Sequence, residues 1–344
     1  MNNLYNHYSC IINKFPAIKV GVVGDIIADV FMYGKPYHLS REAPVVVIKH
    51  ESQKVIPGGA ANTVNNLIKL GAKVYPIGLI GDDAQGHALL EYFSKEGTEV
   101  SGILRVPGRN TITKMRIMAG STHTSKQQVL RVDYDPSKSI DSKTELKILD
   151  YLDSIIEKLD GVIVSDYNYD VFSQRIIDKI LEISKRKLVV VDSHDKLPLF
   201  NGVSIITPNE EEAYKTSSFN HLDKTDDILK VGEKLMDIVQ PKIGVLVTRG
   251  NEGMMVFEKG EIPLHIPISG SDDVTDVTGA GDTVVSLLTL SLLAGANFAD
   301  AARIANYAAG IVVMKSGTAT TNPDELKDFI KRCLNEKITD VEFA

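Results

Sequence analysis

The sequence has only two cysteines, Cys10 and Cys333, in 344 residues. Neither belongs to a C-x-x-C pair, which excludes the usual zinc and dithiol redox motifs, and a reduced cytoplasmic protein is expected. Positive charge is not in excess. Thirty-eight Lys and Arg against 45 Asp and Glu leave a net charge of −7, so no global basic field draws in nucleic acid. Long apolar runs are missing as well. The longest, around residues 284–296, is too short to span a bilayer and is interrupted by Ser286, Thr289 and Ser291. The first fifteen residues lack the basic-then-apolar order of a secretion signal. Two phosphate-binding signatures are absent: there is no G-x-x-x-x-G-K-[ST], and no good G-x-G-x-x-G follows the first strand. Any phosphate chemistry must use another device.

What is present is a large core and a regular alternation. Hydrophobic residues make up 43% of the chain, enough for one large domain with a smaller appendage. β-branched runs at 19–26, 73–81, 160–166, 187–193, 203–209 and 242–250 alternate with helical patterns. Residues 60–72 read as a helix that stops at Gly71, and residues 83–97 as another. Near-continuous Val/Ile strands separated by helices predict a parallel sheet covered on both faces, with ligands beyond the carboxyl ends of the strands. Asp25, Asp166, Asp192, Asn209 and Thr248 fall at such ends. They either face a ligand or cap the helices that follow. Residues 30–55 and 110–133 break the alternation and read as antiparallel strands added to the main sheet, a small β-lid. The segment after Asn322 reads as a closing amphipathic helix.

The stretch "DVTGAGDT", residues 276–283, stands before an apolar helix that ends at Gly295. Small residues at Gly279, Ala280 and Gly281 let backbone N–H groups face an anion at the positive end of that helix. Asp282 falls in its first turn. It is either an ordinary N-terminal acidic residue or a general base that removes a hydroxyl proton during attack on phosphorus.

These residues resemble the signature of the ribokinase-like (PfkB) carbohydrate kinases. Other motifs follow in that family's order: "GDIIAD" at 24–29, "PGGAANT" at 57–63, "TPNEEE" at 207–212 and "VTRGNEG" at 247–253. The resemblance spans roughly residues 19–320. It implies a three-layer α/β fold with a β-lid, a kinase domain over 19–330 between an N-terminal extension (1–18) and a C-terminal tail (331–344), and ATP with Mg²⁺ as cofactors. It implies Asp282 as base and the 279–281 backbone as anion hole. Asn209 and Glu212 would organise Mg²⁺ and the triphosphate through water, and Thr248, Gly250 and Gly253 would line the nucleotide site. Asp29, Gly58, Gly59 and Asn62 would grip the sugar. Asp276, with the backbone near 314–319, would form a loop for a monovalent cation, K⁺ for instance. A homodimer through open lid edges is expected.

Within the family, "YGKPYHLSREAPVVVIK" (33–49), "TITKMRI" (111–117) and "QQVLRVDYD" (127–135) resemble the D-glycero-D-manno-heptose 7-phosphate kinases. Lys114 and Arg116, two apart on a strand, share a face. With Arg131 they either receive a sugar phosphate or form a solvated lid face paired with Glu42 and Asp133. Two positions depart from that group: Tyr169 in "SDYNYD" and His194 in "DSH" replace its usual lysines. The chain ends before the nucleotidyltransferase domain of bifunctional relatives could fit, so a kinase acting alone is expected. A kinase of fructose, a hexose phosphate or a nucleoside is the alternative, and a non-catalytic sugar or nucleotide sensor a further one.

Overall fold

The computed structural model describes residues 2–120, 126–219, 227–269 and 275–339. Parts of the lid and tail expectations, 121–125 and 340–344, lie outside the described residues. The chain opens with α1 (Asn2–Ile12) and β1 (Lys19–Gly24), then β2 (Ile26–Leu39), β3 (Val46–Gly59), α2 (Ala60–Lys69), β4 (Lys73–Gly81), α3 (Ala84–Lys95) and β5 (Ile103–Val106). It continues through β6 (Ile112–Ala119), β7 (Gln127–Tyr134), α4 (Ser142–Ile155), β8 (Gly161–Asp166), α5 (Gln174–Ser184), β9 (Leu188–Ser193), β10 (Ile205–Ile206) and α6 (Glu210–Ser217). It closes with α7 (Asp227–Val239), β11 (Gly244–Thr248), β12 (Met254–Glu258), β13 (Leu264–Ile266), α8 (Ala280–Leu293), α9 (Phe298–Val313) and α10 (Pro323–Thr339).

The main sheet runs β13-β12-β11-β10-β9-β8-β1-β4-β5. Pairing is parallel from β11 to β5 and antiparallel at β12 and β13. Successive strand residues point to opposite faces, so the continuous apolar runs feed two cores. Val22, Ile163 and Val190 join the side covered by α1, α2, α3, α8, α9 and α10. Val23, Val162, Val164, Val189 and Val191 join the side covered by α4, α5 and α7. This is the expected three-layer arrangement.

Helix α8 is buried from Asp282 through Ser291, which is why its sequence is apolar all round. Ser286 donates to the Asp282 carbonyl (2.6 Å) and Thr289 to that of Val285 (2.7 Å), Thr283 donates to Asn66 Oδ1 of α2 (3.0 Å), and the buried Ser291 hydroxyl has no partner among the described residues. The segment read as an N-terminal extension supplies Tyr8, Ile11, Ile12 and Phe15 to the same core as Ile330 and Cys333 of α10.

The lid differs from the expectation in one respect. Its strands form a separate four-stranded sheet, β3-β2-β6-β7, and do not extend the main one. Its outer pairs are antiparallel, but β2 and β6 run parallel. The reason is connectivity: β2 and β3 form a hairpin, whereas the chain passes through α2, β4, α3 and β5 before β6, a crossover long enough for parallel pairing. The lid stands over the carboxyl ends of the main strands because β2 leaves β1 after a single residue, Asp25.

Candidate active site

The turn before α8 is built by backbone geometry. Gly279 is the helix N-cap with φ +80°, a conformation that glycine adopts without cost. Asp276 braces it, accepting from the Thr278 N–H (2.9 Å) and from the Gly317 N–H (3.0 Å). The Thr275 and Asp276 N–H groups donate to the Val313 carbonyl. Of the three turn residues, Ala280 donates its N–H to Val277 (3.2 Å). Gly281 faces open space.

Asp282 is 2% exposed. Its Oδ2 accepts from Asn62 Nδ2 (2.8 Å), and its Oδ1 from Thr63 Oγ1 (3.0 Å) and Tyr167 Oη (3.0 Å). Burial pushes its carboxyl up to about 6, against the pull of those three donors. Asn62, expected on the sugar, therefore spends its amide on the carboxylate. Thr63 and Tyr167 join the site without having been expected there from the sequence, although Thr63 lies in "PGGAANT" and Tyr167 in "SDYNYD".

Two cavities meet at this turn. A small one, about 110 Å³, is lined by Asp29, Gly59, Lys114, Arg116, Gly279 and Asp282, among others. A larger one, about 790 Å³, is lined by Asn209, Thr248, Gly250, Gly253, Ala280 and Gly281, among others. Four residues expected at the sugar (Asp29, Gly59, Lys114, Arg116) thus line the small cavity and four expected at the nucleotide (Asn209, Thr248, Gly250, Gly253) the large one, whereas Gly58, Asn62 and Glu212 line neither. Gly58 is there for space: a Cβ on it would collide with the Asp29 carboxylate.

The expected cations divide. Arg116 Nη1 pairs with Asp29 Oδ1 at 2.5 Å and stacks on Phe31. Arg131 pairs with Asp133 (2.7 Å) and is absent from the residues lining either cavity. It stands directly across from Arg116, as Asp133 does from Lys114, so the four side chains share one face of the lid. Glu42 pairs with none of the three among the described residues. Lys114 has no carboxylate partner there either and lies 5.3 Å from the Tyr167 ring centre.

Asn209 does cap a helix. Its side chain accepts from the Glu212 N–H (2.9 Å) and Glu212 Oε2 accepts from the Asn209 N–H (2.9 Å), a reciprocal box at the start of α6. Glu212 Oε1 lies 2.8 Å from His194 Nδ1, which raises the imidazole's pKa. Asp192 is pushed up by burial and then by the charges of Glu212 and Asp282. Tyr169 brings no cation; its carbonyl accepts from Arg109 (3.0 Å). Among the described residues no three His, Cys, Asp or Glu side chains converge to hold a metal directly.

Substitution of Gly279 tests the turn. A Cβ there would sit 2.5 Å from Asn62 Nδ2 in a left-handed backbone. Gly279→Ala should cost about 1–3 kcal/mol of stability. A urea midpoint equal to that of the parent would refute this account of the turn.

The chain matches the pfkB family carbohydrate kinase pattern over residues 17–325. The bifunctional protein HldE of Geobacter sulfurreducens is 35% identical over 313 residues, 90% of this chain and 62% of that protein. HldE of Helicobacter pylori strain HPAG1 is 38% identical over 316 residues, 90% of this chain and 65% of that protein. The chain thus spans less than two thirds of the length of these relatives. Among solved structures, phosphofructokinase-2 from Escherichia coli in complex with potassium superposes with a TM-score of 0.75 at 15% identity, covering 92% of this chain and 99% of that one. Arabidopsis thaliana ribokinase complexed with ribose and ATP gives 0.69 at 19% identity, covering 91% and 99%. These two share the fold. With the family pattern matched over most of its length, the chain belongs to the pfkB family of carbohydrate kinases.

Proposed function

We propose that the chain phosphorylates D-glycero-D-manno-heptose 7-phosphate to the 1,7-bisphosphate, with Asp282 as general base. One observation carries the reading: Asp282 and the turn beside it separate the two cavities. ATP occupies the larger cavity, with its terminal phosphate against the 279–281 turn. The acceptor sugar occupies the smaller one, beside Asp29, Gly58 and Gly59. Attack of the sugar hydroxyl forms the new O–P bond while the bond to ADP breaks and Asp282 takes the proton. The turn's free N–H groups, at the positive end of α8, face the charge that develops on the transferring phosphoryl group. Closure of the lid excludes water.

The site suits a cation brought in by the triphosphate. The Glu212 charge raises the cost of ionising Asp192, and a Mg²⁺ held through water by Glu212 would relieve it and spread phosphate charge. Asp276 and the backbone near residue 317 would flank a monovalent cation such as K⁺. Lys114, the expected cation without a carboxylate partner, would meet the acceptor's phosphate. Because Arg116 and Arg131 are already paired and two usual lysines are replaced, a kinase of another sugar remains the second reading.

The reading is tested with a substrate panel and one variant. ADP release should be strong with heptose 7-phosphate and weak with fructose or hexose phosphates; the reverse order would reject the acceptor. Asp282→Asn should lower kcat by about 10²–10⁴-fold with ATP affinity retained. A variant of near-parental kcat would reject the base.

We also propose a homodimer through the lid. Tyr37, Leu39, Val45, Val46, Val129 and Leu130 are exposed on the lid strands and the turn joining β2 to β3, and apolar clusters of this kind mark interaction surfaces. Leu39→Asp with Val46→Asp should convert a dimer to a monomer in sedimentation. A parent that sediments as a monomer would refute it.

A further inference from the structure

The two oxygens of Asp282 are not equivalent. A carboxylate oxygen carries two in-plane lone-pair sites. Thr63 and Tyr167 fill both on Oδ1, while Asn62 fills one on Oδ2. One acceptor direction is left, and it belongs to Oδ2.

The chain goes to some length to bring Tyr167 there. Asp25, at the end of β1, accepts from the backbone N–H groups of both Tyr167 (2.8 Å) and Tyr169 (3.2 Å). Asp166, at the end of β8, accepts from the Asn168 N–H (3.0 Å). Within and just after these clamps Asn168 and Asp170 hold φ of 66° and 70°. Asn and Asp are the non-glycine residues that enter that region most readily, and here they turn the chain sharply after β8. The Tyr167 ring lies 4.9 Å from the His194 ring and 5.3 Å from the Lys114 ammonium. A phenylalanine would fill the same space. What the hydroxyl adds is its bond to Asp282. Burial and the Asp282 charge drive the phenol pKa far above its ordinary value, so it keeps its proton and remains a donor.

We propose that Tyr167 is a positioning residue, whose hydroxyl joins Thr63 in saturating Oδ1 of Asp282 and thereby assigns Oδ2 as the atom that takes the acceptor's proton. This rests on the reading of Asp282 as base. In the step itself the sugar O–H proton passes to Oδ2, the sugar oxygen bonds to the γ-phosphorus, and the bridging oxygen leaves with ADP. Tyr167 neither gains nor loses a proton.

The test is the pH profile of kcat/KM. Ionisable groups facing Asp282 are Asp29 from β2, Lys114 and Arg116 from β6, Tyr167 after β8 and Asp192 from β9. All of them persist in Tyr167→Phe except the phenol. Activity needs Asp282 ionised, so the acid limb of the parent should fall near the carboxyl's value of about 6. The phenol stabilises the ionised form, so its removal should move the limb to higher pH, by about one unit. Thr63→Val removes the other Oδ1 donor and should move the limb the same way. KM for ATP should not change in either variant. A merely structural role would lower thermal stability and leave the limb in place, and a limb unmoved in both variants overturns the proposal. If Asp282→Asn is inactive while those limbs stay put, only the role of Tyr167 falls. If Asp282→Asn is active, the base itself is wrong.

Discussion

The candidate active site depends on a carboxylate kept where water would normally not allow it. Asp282 is nearly inaccessible, and removing an ion from water is expensive unless donors replace the solvent. Three side chains from two parts of the chain do so here: Asn62 and Thr63 from α2, and Tyr167 from the loop after β8. They offset the desolvation only in part, and the balance is a carboxyl that holds its proton more tightly than in solution. That is also what a proton acceptor requires, since a weakly basic carboxylate takes a proton poorly. The position of the site, the turn of α8 and the packing of α2 on α8 all follow from bringing these groups together.

The same arrangement has a cost in stability. Asp25 is raised to about 7 and Asp282 to about 6 from an ordinary value of 3.8. For both, the folded chain retains protons that the unfolded chain has released. Between about pH 4 and 7 the unfolded state therefore binds fewer protons, and these two groups lower stability as pH rises through that window. A fold optimised for stability alone would place apolar residues at both positions.

Much of this was legible in the sequence, for physical reasons that can be named. The α/β alternation was clear because strands buried on both faces must be apolar throughout. The glycine turn and Asp282 were clear because few backbones need that spacing before a buried helix. The roles of Asn62, Arg116 and Tyr167 were not. Arg116 meets Asp29 only through the parallel register of β2 and β6, in which Asp29 stands opposite Lys114. Tyr167 and Asp282 are 115 residues apart, and no periodicity carries a contact of that length. Arg131 was the intermediate case: its partner was visible two residues away, but so was a functional use for it.

The lid joins the body of the protein without slack. β2 starts one residue after β1, and β3 runs directly into α2 at Gly59. That single residue, Asp25, donates its N–H to the Ser165 carbonyl and accepts from the Ala60 N–H through its own carbonyl, while its side chain grips the loop behind Tyr167. The lid and the loop that carries Tyr167 therefore share one fulcrum, and a swing of the first bears directly on the footing of the second.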